Sequence, residues 1–262
     1  MSFYRLIQIP LSRIRNWLKD SRINSFRFAF HVLKNSLKLR KSTNDNGQAH
    51  RIIVPWATYS PWLLDESFQK VYESIKDKTL IDIYRLYELW SIAHQQRDVE
   101  GDFLEVGVWR GGSGVLLGKA LAGTDKKLFL ADTFSGVVNA GPNDSTYKGG
   151  EHADVSLSEV RSLLRENGIP NSEILVGEFP LKTAMSIEGN LSLVHIDVDV
   201  YNSAKDILNW CLPRMKSGAI IVFDDYGFIS TDGVTKLVNE SLASNTFLFI
   251  HNLNGHAILI KK

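Results

Sequence analysis

The pattern of apolar and polar positions changes about a third of the way along the chain. Over residues 51–96, apolar side chains recur at three- and four-residue spacing, which predicts a mostly helical region. From Gly101 onward, short apolar runs typical of buried strands alternate with amphipathic stretches typical of helices. The predicted strands are 102–106, 127–131, 173–176, 191–196, 219–223, 246–251 and 256–260.

Amphipathic segments separate most of these strands. The predicted helices are 112–122, 156–167, 179–186, 203–215 and 233–243. Strands that alternate with helices form βαβ units, and therefore a parallel sheet covered on both faces. The last two strands flank a tight turn at 252–255 and are expected to pair as a hairpin. The pattern predicts an α/β, Rossmann-like fold with a mostly parallel seven-stranded sheet and a C-terminal antiparallel hairpin, which is typical of class I methyltransferases.

Charge is distributed unevenly along the chain. Ten of the 30 basic side chains but only one of the 29 acidic ones fall within residues 1–41, so this segment carries +9 and the remainder −8. Its apolar residues recur at helical spacing, as they do in basic amphipathic helices that lie on anionic membranes. Two interpretations stay open: peripheral membrane contact through residues 1–41, or packing on an acidic face of the same chain or a second subunit.

These patterns predict three parts of the chain. Residues 1–48 are expected to form a basic amphipathic extension and a linker, residues 49–100 a helical region, and residues 101–262 the Rossmann-like domain. A length of 262 residues suits one large domain with an extension.

Composition excludes several classes of protein. The single cysteine, Cys211, excludes a disulfide framework and a CxxC-type zinc site, and it favours a reducing, cytoplasmic compartment. No apolar run approaches the ~18 residues of a membrane span. Basic residues without a recognisable motif do not indicate nucleic-acid recognition, so nucleic acid is not an expected partner.

The loops after the strands should carry the ligands, because doubly wound sheets bind them beyond the carboxyl ends of their strands. After the first predicted strand, Gly107, Gly111 and Gly112 let the backbone turn tightly and approach a ligand closely. The next helix presents its amino-terminal N–H groups there. The spacing departs from the dinucleotide fingerprint GxGxxG, and no GxxxxGK[ST] phosphate loop is present. Both observations disfavour a NAD enzyme and a nucleotide hydrolase.

An acidic residue, Asp132, ends the second predicted strand. At this position a carboxylate accepts hydrogen bonds from a ribose diol in dinucleotide folds, although a simple strand-end cap is an equal alternative. Together with the glycine loop, Asp132 indicates an adenosyl ligand that needs no phosphate site.

Four carboxylates follow the fourth and fifth predicted strands. Asp197 and Asp199 are two residues apart and share a face, and Asp224 and Asp225 occupy the equivalent point on the neighbouring strand. Such a cluster is repulsive unless protons or a cation intervene, and oxygen ligands suit Mg²⁺ or Mn²⁺. The alternative for any single one of these carboxylates is that it caps the helix that follows it. A metal here would lower the pKa of an acceptor hydroxyl and orient it for attack on a sulfonium methyl donor, while a carboxylate takes the proton.

Taken together, these motifs resemble the macrocin O-methyltransferase family of S-adenosylmethionine-dependent sugar O-methyltransferases. The resemblance lies in GDFLEVGVWRGG (101–112), DTF (132–134), HIDVDVY (195–201) and DDY (224–226). It implies a Mg²⁺ ion held by Asp197, Asp224 and Asp225, with Asp199 as the general base. It also implies that Glu105, Gly107 and Asp132 contact S-adenosylmethionine. With their neighbours in the same motifs, the predicted cofactor-binding set is Glu105, Gly107, Val108, Trp109, Arg110, Gly111, Asp132, Thr133, Phe134 and Asp197. Trp109 and Arg110 either position the carboxylate end of the cofactor or anchor the loop.

The sequence therefore predicts a Mg²⁺-dependent O-methyltransferase that acts on a hydroxyl of a sugar in a glycan or glycosylated natural product. Two alternatives stay open: a catechol or phenol acceptor, and a non-catalytic S-adenosylmethionine-binding protein recruited to membranes. A homo-oligomer is expected, in which partner subunits complete the acceptor pocket. Two histidines have open roles. His195 either supports Asp197 from behind or is a satisfied buried histidine, and His152 either contacts substrate from a lid-like glycine-containing loop or is solvated.

Overall fold

The computed structural model describes residues 29–30, 32–34, 42–44, 46–51, 53 and 57–262. The chain divides into two compact units, the smaller comprising Met1–Thr43 with Ala49–Trp56 and the larger Asn44–Gln48 with Ala57–Lys262. Most of residues 1–41, with the amphipathic helices predicted there, lie outside the described residues. Among the described helices, none combines the length and apolar character that a bilayer crossing requires.

A seven-stranded sheet forms the centre of the larger unit. Its strands, β1 to β7 in chain order, are Asp102–Val106, Leu128–Asp132, Ser172–Val176, Leu191–Ile196, Met215–Phe223, Phe247–His251 and Ala257–Lys261. Their spatial order is β3-β2-β1-β4-β5-β7-β6. The first five are parallel, and β7 pairs antiparallel with both β5 and β6. The predicted mostly parallel sheet with a terminal hairpin is confirmed.

Six α-helices accompany this sheet in the part of the chain that the structure describes in detail, residues 57–262. Helices α1 to α6 are Glu66–Ile75, Ile83–Gln95, Gly112–Ala120, Leu157–Glu166, Tyr201–Cys211 and Asp232–Ser241. Short 3₁₀ turns occur at Pro61–Leu63, Gln96–Asp98, Ala184–Ser186 and Leu212–Arg214. Local sequence fixes several helix starts: Asp65 and Asp82 cap α1 and α2, and Ser156 forms a capping box with Glu159 at α4.

Apolar cores lie on both faces of the sheet, because successive strand residues point in opposite directions. On one face, Phe103 and Leu130 pack with residues of α1 to α4. On the other, Leu104 and Phe129 pack with residues of α5 and α6. Helices α1 and α2 thus belong to the same compact unit as the sheet, and the predicted boundary at residue 100 stays a prediction. With both faces covered, the carboxyl ends of the strands are left for a ligand site.

Two predicted segments differ from the structure. Residues 179–186, predicted as a helix, contain only the 3₁₀ turn Ala184–Ser186. Leu181 and Met185 are exposed there, so the segment lacks the packed apolar face that stabilises most helices. Within the predicted linker, Ser42–Thr43 pairs antiparallel with Ala49–His50. The Asn-Gly pair at residues 46–47 is a hairpin turn signal that explains this pairing.

Candidate active site

A cleft of about 270 Å³ lies at the carboxyl ends of the central strands. The glycine loop after β1, the end of β2 and the ends of β4 and β5 all contribute to its walls, as expected for a doubly wound sheet. Nine of the predicted site residues line it: Gly107, Val108, Trp109, Asp132, Thr133, Asp197, Asp199, Asp224 and Asp225.

The glycine loop approaches the end of β4 more closely than any side chain would allow. Gly107 has a φ of +90°, and a Cβ built on it would lie 1.7 Å from the carbonyl oxygen of Asp197. Gly111, with a φ of +86°, occupies the left-handed position that begins α3. These two glycines allow the loop to turn over β4 and bring the start of α3 to the cleft.

Asp132 holds the glycine loop in this conformation. Its Oδ2 accepts hydrogen bonds from the backbone N–H groups of Val108 and Trp109 at 2.7 and 2.9 Å, and its Oδ1 accepts one from Phe134 at 2.7 Å. The capping role weighed in the sequence is therefore present. Asp132 also lines the cleft, so further lone pairs of its carboxylate remain for a ligand.

Four of the predicted cofactor-binding residues are not among those that line the cleft. Glu105 is a fully buried residue of β1, and its Oε1 lies 2.9 Å from Nδ1 of His195 on the neighbouring strand β4. Arg110 pairs with Asp154, Gly111 begins α3, and Phe134 packs against the core. These four residues therefore lie next to the cleft, in β1 or in the loops after β1 and β2, and are not part of its lining.

The acids at the ends of β4 and β5 converge as predicted. Carboxylate oxygens of Asp197, Asp224 and Asp225 lie within 4.8 Å of one another. Asp199 has a φ of +64°, an unusual value for a residue other than glycine and one that is often found at functional sites. Its backbone N–H donates to Oδ2 of Asp225 at 2.9 Å, which stabilises this conformation and places Asp199 beside the other three carboxylates.

Burial and mutual repulsion perturb three of these acids in the same direction. Desolvation raises the pKa of Asp197 well above its usual value, and the charges of Asp224 and Asp225 raise it further. Desolvation and the charges of Asp199 and Asp224 likewise raise the pKa of Asp225. The pKa of Asp199 is also raised, chiefly by desolvation. Such a set is stabilised by taking up protons or a cation.

Asp224 differs from its neighbours because cationic groups surround it. Burial alone would raise its pKa, but the ion pair with Arg85 and the contacts with His195 and His256 hold that pKa below the usual range. The Nη1 of Arg85 donates to Oδ2 of Asp224, and Nε2 of His256 lies 2.9 Å from Oδ1. Asp224 is therefore an ionised carboxylate that the fold holds in a fixed orientation.

His195 is buried beneath this cluster, which favours the supporting role considered from the sequence. Its Nε2 is 3.8 Å from Oδ1 of Asp224, an electrostatic contact rather than a hydrogen bond, and this nitrogen has no other partner among the described residues. Burial lowers the pKa of His195, but the neighbouring carboxylates of Asp224 and Glu105 outweigh it and raise the pKa to about 10.

A loop over the cleft adds two groups above Asp199. Burial raises the pKa of the Tyr147 phenol, and the negative charge of the nearby Asp199 raises it further. His152, with a φ of +60°, places Nε2 3.3 Å from the Tyr147 oxygen. Both side chains line the cleft. His152 therefore lies on the wall of the cleft, and its contact with a ligand stays a prediction.

Arg85, Glu88, His256 and Tyr147 were not singled out from the sequence. Glycines around Tyr147 did mark its loop as a lid, which is a signal for the loop but not for that residue. Arg85 and Glu88 lie on α2, and His256 lies just before β7, all outside the motifs. Only the tertiary fold brings Arg85 and His256 to Asp224, and Glu88 to His256.

The strand order, the glycine loop that follows β1 and the acidic end of β2 together define a class I methyltransferase fold. Solved structures that share this fold include the O-methyltransferase NovP and the calicheamicin methyltransferase CalS11. NovP matches at a TM-score of 0.61 and 25% identity, and the match covers 71% of this chain and 82% of NovP. CalS11 matches at a TM-score of 0.59 and 17% identity, and the match covers 78% of this chain and 94% of CalS11. Residues 76–245 match the macrocin-O-methyltransferase (TylF) family, and the chain belongs to that family. The predicted family is confirmed.

Two curated relatives are methyltransferases named for glycosylated natural products. A tetracenomycin-C rhamnosyl 4'-O-methyltransferase from Streptomyces olivaceus is 31% identical over an alignment of 140 residues that covers 49% of this chain and 54% of the relative. The mycinamicin III 3''-O-methyltransferase from Micromonospora griseorubida is 30% identical over an alignment of 166 residues that covers 56% of this chain and 65% of the relative. The matches thus span between about half and two thirds of these relatives.

Proposed function

We propose that this chain transfers the methyl group of S-adenosylmethionine to a hydroxyl of a sugar in a glycan or glycosylated natural product. The observation that carries the proposal is that the glycine loop, Asp132 and four carboxylates of β4 and β5 line one cleft. A methyl donor at the loop and a hydroxyl at the carboxylates would therefore meet within it. The names of the two relatives support a glycosylated acceptor.

For the methyl donor, we propose direct contact with the predicted residues that line the cleft. S-Adenosylmethionine supplies an electrophilic methyl group on a sulfonium ion. The backbone of the glycine loop and the start of α3 approach this side of the cleft without intervening side chains. The proposed contacts are Gly107, Val108, Trp109, Asp132, Thr133 and Asp197.

For the metal, the donor set of Asp197, Asp224 and Asp225 fits Mg²⁺. All three offer hard carboxylate oxygens within 4.8 Å of one another, and the raised pKa values of Asp197 and Asp225 support a site that favours a positive charge. When bound, the ion lowers the pKa of a coordinated hydroxyl. We therefore propose Mg²⁺ as the second cofactor.

The proton of the acceptor hydroxyl is proposed to pass to Asp199. This carboxylate lines the cleft beside the three proposed ligands, and desolvation raises its pKa toward the range suited to a general base. Tyr147 lines the same cleft, and burial together with the charge of Asp199 raises the pKa of its phenol, so this chain places a protonated hydroxyl near the proposed base.

The proposal is tested by methyl transfer from labelled S-adenosylmethionine to a panel of rhamnosides and other deoxysugar glycosides, with catechol as a comparison arm. We expect transfer to the glycosides that EDTA abolishes and added Mg²⁺ restores. Transfer that survives chelation would contradict the metal-assisted mechanism. Transfer to catechol alone would select the phenolic acceptor, and cofactor binding without any transfer would select the non-catalytic alternative.

Three further expectations from the sequence stay predictions. They are a cytoplasmic location, a homo-oligomeric state and membrane contact through residues 1–41.

A further inference from the structure

Asp224 is held from two elements that lie far apart in the chain. From α2, Nη1 of Arg85 donates both to Oδ2 of Asp224 and, at 3.1 Å, to its carbonyl oxygen. From the residue before β7, Nε2 of His256 lies 2.9 Å from Oδ1. Among the described residues, Asp224 is the member of the carboxylate cluster that forms ion pairs with arginine and histidine. Its side chain is thereby fixed at both oxygens.

The two groups that hold Asp224 are themselves held by carboxylates of α2 and its cap. Nδ1 of His256 lies 2.6 Å from Oε2 of Glu88, and Nε of Arg85 donates to Oδ2 of Asp82 at 2.8 Å. Asp82 is also the residue that caps α2. The imidazole and guanidinium planes are therefore both fixed on the side away from Asp224, and the chain Glu88–His256–Asp224 links α2 to the end of β5.

Packing alone does not explain this arrangement. Buried ion pairs contribute little net stability, and apolar side chains of similar volume often serve as well. His256 is fully buried, yet it presents both ring nitrogens to carboxylates rather than to apolar neighbours. Carboxylates that ligate metals are themselves hydrogen-bonded by the residues behind them, which fixes their orientation.

The nitrogens of His195 and His256 and an oxygen of Asp224 also lie within 4.8 Å of one another, as the ligands of a zinc ion would. Two contacts favour the hydrogen-bonded arrangement over a metal ligand role for His256. Its Nε2 lies 2.9 Å from Oδ1 of Asp224 and its Nδ1 lies 2.6 Å from Oε2 of Glu88, so both ring nitrogens already face carboxylates. The set Asp197, Asp224 and Asp225 needs no histidine ligand and leaves both contacts in place.

We propose that Glu88 and His256 are positioning residues for the divalent-cation site of Asp197, Asp224 and Asp225, and that they act by fixing the orientation of the Asp224 carboxylate. This inference rests on the metal site of the proposed function. It assigns a role to the terminal hairpin and to α2, neither of which supplies a proposed metal ligand.

The test measures Mn²⁺ binding to the full chain by electron paramagnetic resonance, with S-adenosylhomocysteine present. Glu88→Ala should weaken Mn²⁺ binding about 10- to 100-fold, as is typical when a residue behind a metal ligand is removed. Glu88→Gln is the matched control, because its amide oxygen still accepts from His256 while the charge is lost. If Glu88 acts by positioning His256, the Mn²⁺ affinity of Glu88→Gln should stay within about threefold of the wild-type affinity.

His256→Gln provides a second readout. An amide nitrogen can still donate to Asp224, so this variant should bind Mn²⁺ more tightly than His256→Ala. Affinity for S-adenosylhomocysteine, measured by calorimetry on every variant, should stay unchanged and reports that the fold is intact.

Each outcome bears on a different claim. Wild-type protein that binds no Mn²⁺ would overturn the proposed metal site and this inference with it. Mn²⁺ binding that is unchanged in Glu88→Ala would overturn the positioning role alone. Equal weakening in Glu88→Ala and Glu88→Gln would assign the effect to charge and also overturn it. Zn²⁺ bound more tightly than Mn²⁺, and lost in His256→Ala, would identify a histidine metal site instead.

Discussion

At the scale of single residues, Asp199 is the carboxylate whose loss should separate chemistry from binding. Asp199→Asn keeps the side-chain volume but removes the proton acceptor. We expect methyl transfer to fall by about 10²- to 10⁴-fold, the usual contribution of a general base. Affinity for S-adenosylhomocysteine should change little, because Asp199 is not among the proposed cofactor contacts. Steady-state transfer and calorimetry measure the two effects.

The control for this variant is Asp125→Asn. Asp125 is exposed and lies before β2, at the opposite end of the sheet from the cleft. The Asp125→Asn enzyme should transfer methyl groups at the wild-type rate. An Asp199→Asn enzyme that retained the rate of Asp125→Asn would exclude Asp199 as the base.

Gly107 should tolerate no side chain. A Cβ there would overlap the carbonyl oxygen of Asp197, whereas a Cβ on Gly218, which has a nearly identical φ of +89°, would meet nothing within 4 Å. Both alanine variants adopt a strained backbone, which costs about 1–3 kcal/mol. We expect Gly107→Ala to lower the free energy of unfolding by at least about 2 kcal/mol more than Gly218→Ala. Urea unfolding measures the difference, and equal losses would contradict the close approach.

Sequence reasoning finds residues whose signal is local and misses those whose role depends on the fold. Asp197 and Asp199 were predicted to converge because residues two apart in a strand share a face. The prediction of convergence is right but its reason is wrong, since β4 ends at Ile196 and Asp199 reaches the cluster through a φ of +64° and a backbone hydrogen bond to Asp225. Arg85 and His256 carry no such signal, since they are separated from Asp224 by 139 and 32 residues. Glu105 was predicted to contact the cofactor because it belongs to the motif that includes the glycine loop. In the structure its carboxylate contacts His195 on the neighbouring strand β4.

At the scale of elements, the loop over residues 137–154 is fixed to the N-terminus of α5. Oδ1 of Asp144 accepts from the backbone N–H of Tyr201, the first residue of α5, at 2.9 Å, and Oδ2 accepts from Gly141 at 2.8 Å. Further along α5, the Ser203 hydroxyl donates to the carbonyl of Val138 at 2.9 Å. The loop that carries Tyr147 and His152 is therefore anchored through a helix cap.

Asp144→Ala should loosen this loop. It removes a helix cap and leaves buried N–H groups without a partner, so we expect a loss of about 2 kcal/mol in the free energy of unfolding. Trypsin should also cut faster after Lys148, which lies in the same loop. Asp206→Ala, an exposed site on α5, is the control. Indistinguishable unfolding and proteolysis of the two variants would contradict the anchoring role.

Element boundaries were predictable where sequence signals agree with packing. The strand at 191–196 was predicted with its observed bounds, because four of its six residues are apolar and all six are buried. Strand β5 begins at Met215, four residues before the predicted start at Ala219. Residues 216–218 are polar or glycine and carry no apolar strand pattern, and the pairing with β4 shifts register between Met215 and Ile220.

At the scale of the whole molecule, the opposite charges of the two parts of the chain have a testable consequence. Residues 1–41 carry +9, and the remainder carries −8. The described residues that line the cleft all lie within 78–231. Removal of residues 1–41 should therefore leave affinity for S-adenosylhomocysteine unchanged, while it removes the chain's attraction to polyanionic surfaces.

The corresponding measurement is sedimentation with vesicles that mix phosphatidylcholine and phosphatidylglycerol. We expect the full chain to sediment with them, less so as salt is raised, because clustered Lys and Arg side chains are attracted to anionic lipid by about 1 kcal/mol each near the surface. The chain without residues 1–41 should stay in the supernatant. Replacement of Arg13, Arg15 and Lys19 by Gln should weaken sedimentation without truncation, which separates charge from chain length. Sedimentation that is equal for the full and shortened chains would instead favour packing of the basic segment on protein.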